Sequence, residues 1–312
     1  MTLRLDAKPA TVHWGYFDAG LVPVAEIDSG ETVVVSTVSG GPETLPGPSH
    51  NVPQALLDIH RVTPQELPGH ICTGPIAVRG AKPGDTLEVR IKDVQLHYDW
   101  GYTFIRPLLG ALPDDFEDPY LMHTTLDAER MIASLPWGRD LPLKPFFGVM
   151  GVAPPPKWGT VSTIQPRRNG GNLDNKELVA GTTLFLPVFV DDARFSVGDG
   201  HGAQGDGEVC VTAIETGLIG TFELHVRTDL PLVWPMAESP THVMTMAFDP
   251  DLDNCVVIAL RQMLDLITRR TELTRHEAYA LCSLAADVRI TQVVNGNKGV
   301  HVMIEKTHLG LA

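Results

Sequence analysis

Glycine and proline interrupt this chain too often for long helices to dominate it. Twenty-nine glycines and twenty-five prolines fall among its 312 residues, and aromatic residues make up only 6%. Glycine opens backbone geometry that other residues resist, and proline removes a backbone donor. The mixture therefore favours short strands joined by tight turns. Strand patterning agrees. Leu87, Val89 and Ile91 alternate with Glu88, Arg90 and Lys92, a period of two that predicts one buried face and one wet face. Residues 31–38, 76–78, 208–214 and 221–227 read as further strands, and residues 184–197 as a hairpin turning at Asp191 and Asp192.

Helices are predicted only in the last third. Val256, Val257, Leu260, Met263, Leu264 and Ile267 recur at helical spacing and form one apolar stripe. Thr274-Arg-His-Glu277 is a capping box that opens a second helix reaching about residue 287. Strands at 288–294 and 300–305 then flank the turn Asn295-Gly-Asn-Lys-Gly299. Residues 107–160 read as irregular, proline-dotted loop, packed near a site or a subunit contact. The fold class is α+β with strands dominant. A β-rich region over 1–230 carries the candidate site loops, and an α/β region over 231–312 packs on it or joins it as one unit.

Charge narrows the partners. Lys and Arg total 24 against 38 Asp and Glu, a formal charge of −14, and no basic run occurs. Nucleic acid and anionic membranes both demand a basic footprint, so neither is expected as a partner. The first residues lack the apolar core of a signal peptide, and no run of 18 apolar residues exists. Cys72, Cys210, Cys255 and Cys282 are far apart with no CxxC pair. Buried reduced thiols and a cytoplasmic location follow as expectations.

The densest chemistry lies in Ser196-Val-Gly-Asp-Gly-His-Gly-Ala-Gln-Gly-Asp-Gly-Glu-Val209, which holds Asp199, His201, Asp206 and Glu208. Glycines between them let a short loop fold around one point. Residues two apart share one side of an extended segment, which pairs Asp199 with His201 and Asp206 with Glu208. Carboxylate oxygen with imidazole nitrogen suits zinc or a similar divalent ion. The bland alternative is an acidic turn between two strands. A second cluster, Arg167-Arg-Asn-Gly-Gly-Asn-Leu-Asp174, offers Asn172 and Asp174 two apart, and convergence of the two loops is the expectation that matters. His70 and His13 stand alone, each a candidate ligand or proton carrier against the commoner role of a satisfied local hydrogen bond. No Gly-x-Ser-x-Gly elbow is present, no cysteine has a reactive setting, and no glycine loop has a phosphate-binding basic partner.

Several stretches together resemble the acetamidase/formamidase family. They are Asn169-Gly-Gly-Asn-Leu-Asp-Asn-Lys-Glu-Leu, Ala180-Gly-Thr-Thr-Leu-Phe-Leu-Pro-Val and Gly198-Asp-Gly-His-Gly-Ala-Gln-Gly-Asp-Gly-Glu-Val. His70-Ile-Cys-Thr-Gly-Pro, Ala81-Lys-Pro-Gly-Asp-Thr-Leu-Glu-Val and Gly148-Val-Met-Gly-Val-Ala-Pro extend the match along nearly the whole chain. Gly202 and Asn169 depart from the family pattern without removing a carboxylate or imidazole.

The resemblance implies hydrolysis of formamide, acetamide or a related small amide to ammonia and the acid. It also implies a jelly-roll-like β-sandwich with added α/β parts, a bound divalent metal and a homo-oligomer, a dimer or tetramer. Carried onto this chain, Asp174, Asp199 and His201 become the metal set, and Asn172 a ligand or amide-positioning donor. Within that set Glu208 is the candidate general base and Asp206 a further ligand or a group orienting His201; His70, and His13 outside the matched stretches, stay candidates for proton carrying or substrate binding on their own residue chemistry. Zinc is the expected ion, with calcium an additional or alternative one because oxygen-rich loops also serve it. Two alternatives stay open: hydrolysis of a cyclic amide or urea-like compound, and a non-catalytic, metal-stabilised scaffold that binds a small ligand. The acyl pocket is expected from residues 107–160.

Overall fold

Strands carry the chain, as its turn chemistry requires. The computed structural model describes residues 2–311. Two large sheets dominate these residues, one of nine strands and one of eleven. The nine-stranded sheet has Thr86–Leu96 near its centre, between Leu218–Arg227 and Thr183–Pro187, and it continues through Met236–Glu238 and His242–Asp249 to Lys298–Glu305 and Asp287–Gln292. The eleven-stranded sheet places Phe195–His201 between Phe146–Gly151 and Ile71–Arg79, with Glu215–Thr216 also paired to it. Their facing sides interdigitate. Leu87, Val89, Ile91 and Phe222 from one sheet share a core with Phe147, Met150, Phe195 and Val197 from the other. The strand-dominated α+β sandwich expected from the sequence is the fold.

Leu87, Val89 and Ile91 are buried as the alternation predicts. Glu88 is not wet, however: it lies inside with 3% exposure. Arg90 Nε and Arg227 Nη1 each donate to it at 2.6 Å, so a central strand keeps its polar face under paired charges. The hairpin expected at 184–197 does not form. Thr183–Pro187 belongs to one sheet and Phe195–His201 to the other. Asp192, Ala193 and Arg194 turn that corner with φ of 63°, 55° and 62°, three successive left-handed residues where a two-residue hairpin turn takes at most two.

Both C-terminal helices appear, at Leu252–Arg270 and Arg275–Ala285. Asp251 caps the first by accepting from Asp253 and Asn254, and the Thr274–Glu277 capping box opens the second. A third helix, Gln54–Val62, was not expected; it buries Leu56 and Ile59 after Pro53. Residues 107–160 are more regular than their prolines suggest, since Tyr120–Asp127, Ile132–Leu135, Arg139–Pro142 and Phe146–Gly151 are all strands. All four cysteines are free thiols. No helix among the described residues is long and apolar enough to cross a membrane.

Candidate active site

The two glycine-studded loops meet. Asp174 follows the short strand Gly170–Asn172, and Asp199 and His201 end the strand Phe195–His201. Both strands flank Phe146–Gly151, and Gln204 Nε2 ties the loops together by donating to the Asp174 carbonyl at 2.8 Å. One ligand atom from each of Asp174, Asp199 and His201 falls within 4.8 Å of the others, and so does the set His201, Glu208 and Glu215. His201 Nε2 lies 3.2 Å from Asp199 Oδ2 and 3.3 Å from Glu215 Oε1.

Backbone strain marks the same residues. Asp174, Asp199 and Glu208 adopt φ of 46°, 56° and 46°, a region costing about 1–3 kcal/mol for a non-glycine residue and concentrated at functional sites. The expected strand at 208–214 therefore gives way to a tight, irregular turn that swings Glu208 inward. Room at the centre comes from Gly148. A Cβ there would stand 2.4 Å from Asp199 Oδ2 and 2.7 Å from both Asp174 Oδ1 and His201 Cε1.

Four carboxyl groups and one imidazole are thus gathered where water barely reaches, each at most 5% exposed. Burial, against the pull of His201, pushes the Asp174 carboxyl up to about 8, and Asp199 adds to the rise. Burial and the neighbouring Asp174 push Glu208 well above the carboxylate range. Burial also raises Glu215. Burial opposes the charge on Asp199, yet His70 and His201 beside it hold it low. Burial disfavours the imidazolium of His201, but Glu215 and Asp199 raise it well above its ordinary value. Such a set wants protons or a cation at its centre.

The donors fit a divalent ion. Asp174 Oδ1, both ring nitrogens of His201 and Asn172 Oδ1 are buried without a hydrogen-bond partner. Mixed carboxylate and imidazole ligands, two from the end of Phe195–His201 and one from the loop after Gly170–Asn172, match the preference of zinc-like ions. Asn172 is anchored by its Nδ2, which donates 3.1 Å to the Ile164 carbonyl, and it lines the cavity above the cluster.

That cavity, about 510 Å³, opens over Asp199, Glu208 and Glu215 and is walled by Trp14, Val38, Ile71, Tyr102 and Leu109. Only Leu109 of the lining comes from residues 107–160, which corrects the expected source of the acyl pocket. Four sheet strands and the turns between them take up much of that stretch instead. His70 lines the cavity with Nε2 3.7 Å from Asp199 Oδ2, and its Nδ1 is 3.2 Å from Thr163 Oγ1.

Two expected site residues lie elsewhere. Asp206 takes Arg289 Nη2 at 2.6 Å and Lys176 Nζ at 3.1 Å, a partly exposed ion network rather than a contact with His201. Its side chain points away from Glu208, because the two sit on a turn and not on the extended segment that the spacing assumed. His13 is buried with Nε2 3.0 Å from Ser196 Oγ, against the rings of Tyr16 and Phe17, and does not line the cavity. Glu215 was missed. It stands directly across from His201 in a two-residue strand, and only its position within an otherwise apolar and hydroxyl-bearing stretch, Thr212-Ala-Ile-Glu-Thr216, hints at it.

A family model for the acetamidase/formamidase family matches residues 10–159 and 157–304. The chain belongs to the acetamidase/formamidase family. Within that family it is 31% identical over 223 residues to an acetamidase of Mycolicibacterium smegmatis, covering 51% of this chain and 53% of that protein. It is 28% identical over 240 residues to a formamidase of Methylophilus methylotrophus, covering 58% and 59%. The chain thus spans between half and three-fifths of the length of these curated relatives. A crystal structure of an acetamidase from Bacillus halodurans superimposes with a TM-score of 0.86 at 31% identity, covering 99% of each chain. A γ-lactamase from Delftia acidovorans shares the fold with a TM-score of 0.64 at 20% identity, covering 96% of this chain and 89% of that one.

Proposed function

We propose that this family member hydrolyses the C–N bond of a small amide such as formamide or acetamide, releasing ammonia and the carboxylic acid. The observation that carries the reading is the buried cluster of Asp174, Asp199, His201, Glu208 and Glu215 at the floor of an open cavity. Asp174, Asp199 and His201 would hold a divalent ion, zinc in this reading, with Glu215 beside the same ring nitrogen of His201 that Asp199 approaches. Such an ion, when bound, acidifies water and polarises a carbonyl.

The remaining roles belong to the chain itself. Asn172, pinned through its Nδ2, presents its unpaired Oδ1 to the cavity side, where it can accept from the substrate amide N–H. Glu208 takes the proton from the attacking water and returns it to the departing nitrogen. Its burial beside Asp174, which favours the protonated form, suits that second step. His70, one-quarter exposed at the cavity wall, links Asp199 to the open side and carries protons outward. Trp14, Val38 and Ile71 exclude water from the acyl side. A homo-oligomer in the cytoplasm belongs to the same reading, to be checked by sedimentation velocity and cell fractionation.

The test is ammonia release from formamide, acetamide, propionamide, benzamide and urea, with release of the ring-opened amino acid from a lactam read by chromatography. Activity on linear amides that disappears on chelation and returns with zinc is the expected result. Binding of these compounds without release would leave a ligand-binding scaffold instead, and preference for the lactam or urea would move the substrate class.

A further inference from the structure

Asn295 lies far along the chain, in a turn that its own sequence marks only as a turn, yet its side chain enters the carboxylate cluster. Its Nδ2 donates to Asp174 Oδ2 at 2.6 Å and reaches Glu208 Oε2 at 3.5 Å. Asn295 is 5% exposed, and Asp174 and Glu208 are equally hidden. One amide group carries two hydrogens, so it can serve both acids at once. It is neutral, so it supplies donors to both carboxyls without adding charge.

The contact also selects which oxygen of Asp174 faces the centre. With Oδ2 occupied by Asn295, Oδ1 is the oxygen left buried and unpartnered. That same Oδ1 borders the space above Gly148 shared with Asp199 and His201.

The turn holding Asn295 is built to keep it still. Gln292 Oε1 accepts from the backbone N–H of Val294 at 3.0 Å and of Asn295 at 3.2 Å, and its Nε2 donates to the Asn297 carbonyl at 2.7 Å. Val293 N donates to the Gly207 carbonyl at 3.1 Å, and Gly207 N to the Thr291 carbonyl at 3.2 Å. The turn that delivers Glu208 and the turn that delivers Asn295 are therefore stitched to each other by backbone bonds. A donor locked this firmly loses little rotamer freedom when the cluster forms.

We infer that Asn295 is a positioning residue of the site: it orients Asp174 so that Oδ1 faces the ion and holds Glu208 beside it. This rests on the reading of the cluster as a divalent-ion centre. Groups that orient ligands from behind alter metal affinity by roughly 10–100-fold when removed.

The experiment is calorimetric titration of zinc ion alone into chelator-treated, full-length wild type, Asn295→Ala and Asn295→Ser, with far-UV circular dichroism to confirm folding. The expected result is zinc binding weakened by about 10–100-fold in Asn295→Ala, with a smaller loss in Asn295→Ser, which keeps a single donor. Equal affinity in all three proteins would overturn the inference. If Asn295→Ala does not fold, Asn295→Ser decides alone, and wild-type affinity there overturns it equally. Absence of zinc binding by the wild type would instead overturn the metal-centre reading on which the inference stands.

Discussion

Gly148 shows how one missing side chain makes a site. Its φ is not left-handed, so alanine is conformationally acceptable there, and the cost arises from space alone. Gly148→Ala is expected to retain its far-UV spectrum yet lose bound metal and most activity, measured by elemental analysis of purified protein and by ammonia release. Glu208→Gln keeps the shape and removes the proton carrier, so kcat should fall about 100-fold or more with KM little changed. Wild-type turnover in that variant would remove Glu208 from the chemistry. His13 supplies a separate effect on stability. Burial lowers its pKa from 6.5 to about 4. Between those values the unfolded chain binds a proton that the folded chain refuses, so the stability contribution is full above pH 6.5 and is lost as pH falls toward 4. Replacement of His13 by Asn should flatten the acid limb of the melting-temperature profile by an amount on the order of 3 kcal/mol at most.

At the scale of elements, sequence periodicity was informative wherever one local rule decided the outcome. The apolar stripe at Val256–Ile267 and the box at Thr274 and Glu277 both form helix because capping and amphipathicity are short-range. Asp199 and His201 stay together because two residues span one pleat. Asp206 and Glu208 share that spacing but part company, since Gly207 and Glu208 both take positive φ and break the extended run. The corner at 192–194 was read as a hairpin because a turn pattern cannot say which sheet receives the returning strand. Glu215 and Asn295 were invisible as site residues for a related reason: each reaches the cluster through pairing between distant segments. Arg289 tests this level. Its guanidinium holds Asp206 through Nε and Nη2 and Glu177 through Nη1, bracing the 205–208 turn from outside. Arg289→Ala should lower kcat by about tenfold while leaving the cavity's apolar wall intact, read as a fall in kcat across the amide series without a change in its rank order.

On the scale of the whole molecule, the nine-stranded sheet runs without a break across residue 230. Thr183–Pro187 pairs with Met236–Glu238, and Leu218–Arg227 lies two strands away. Behind that sheet, Cys255, Ala259, Met263 and Ile267 of the long helix pack on Val243, Ala247, Val300 and Val302. A chain cut after residue 230 would expose this core and lose Asn295 from the cluster. It is expected to be insoluble or unfolded by circular dichroism, whereas a soluble, cooperatively melting fragment would argue for two independent units. The fold thus assembles its polar centre from segments more than a hundred residues apart, and the sandwich holds them in register.

The proposed chemistry depends on an ion seated among Asp174, Asp199 and His201. Anomalous diffraction from crystals of catalytically active protein, collected on either side of the zinc absorption edge, addresses that directly. The account predicts one strong difference peak bounded by the carboxylate oxygens of Asp174 and Asp199 and a ring nitrogen of His201. Active protein with no peak for zinc or any other metal at that point would contradict it.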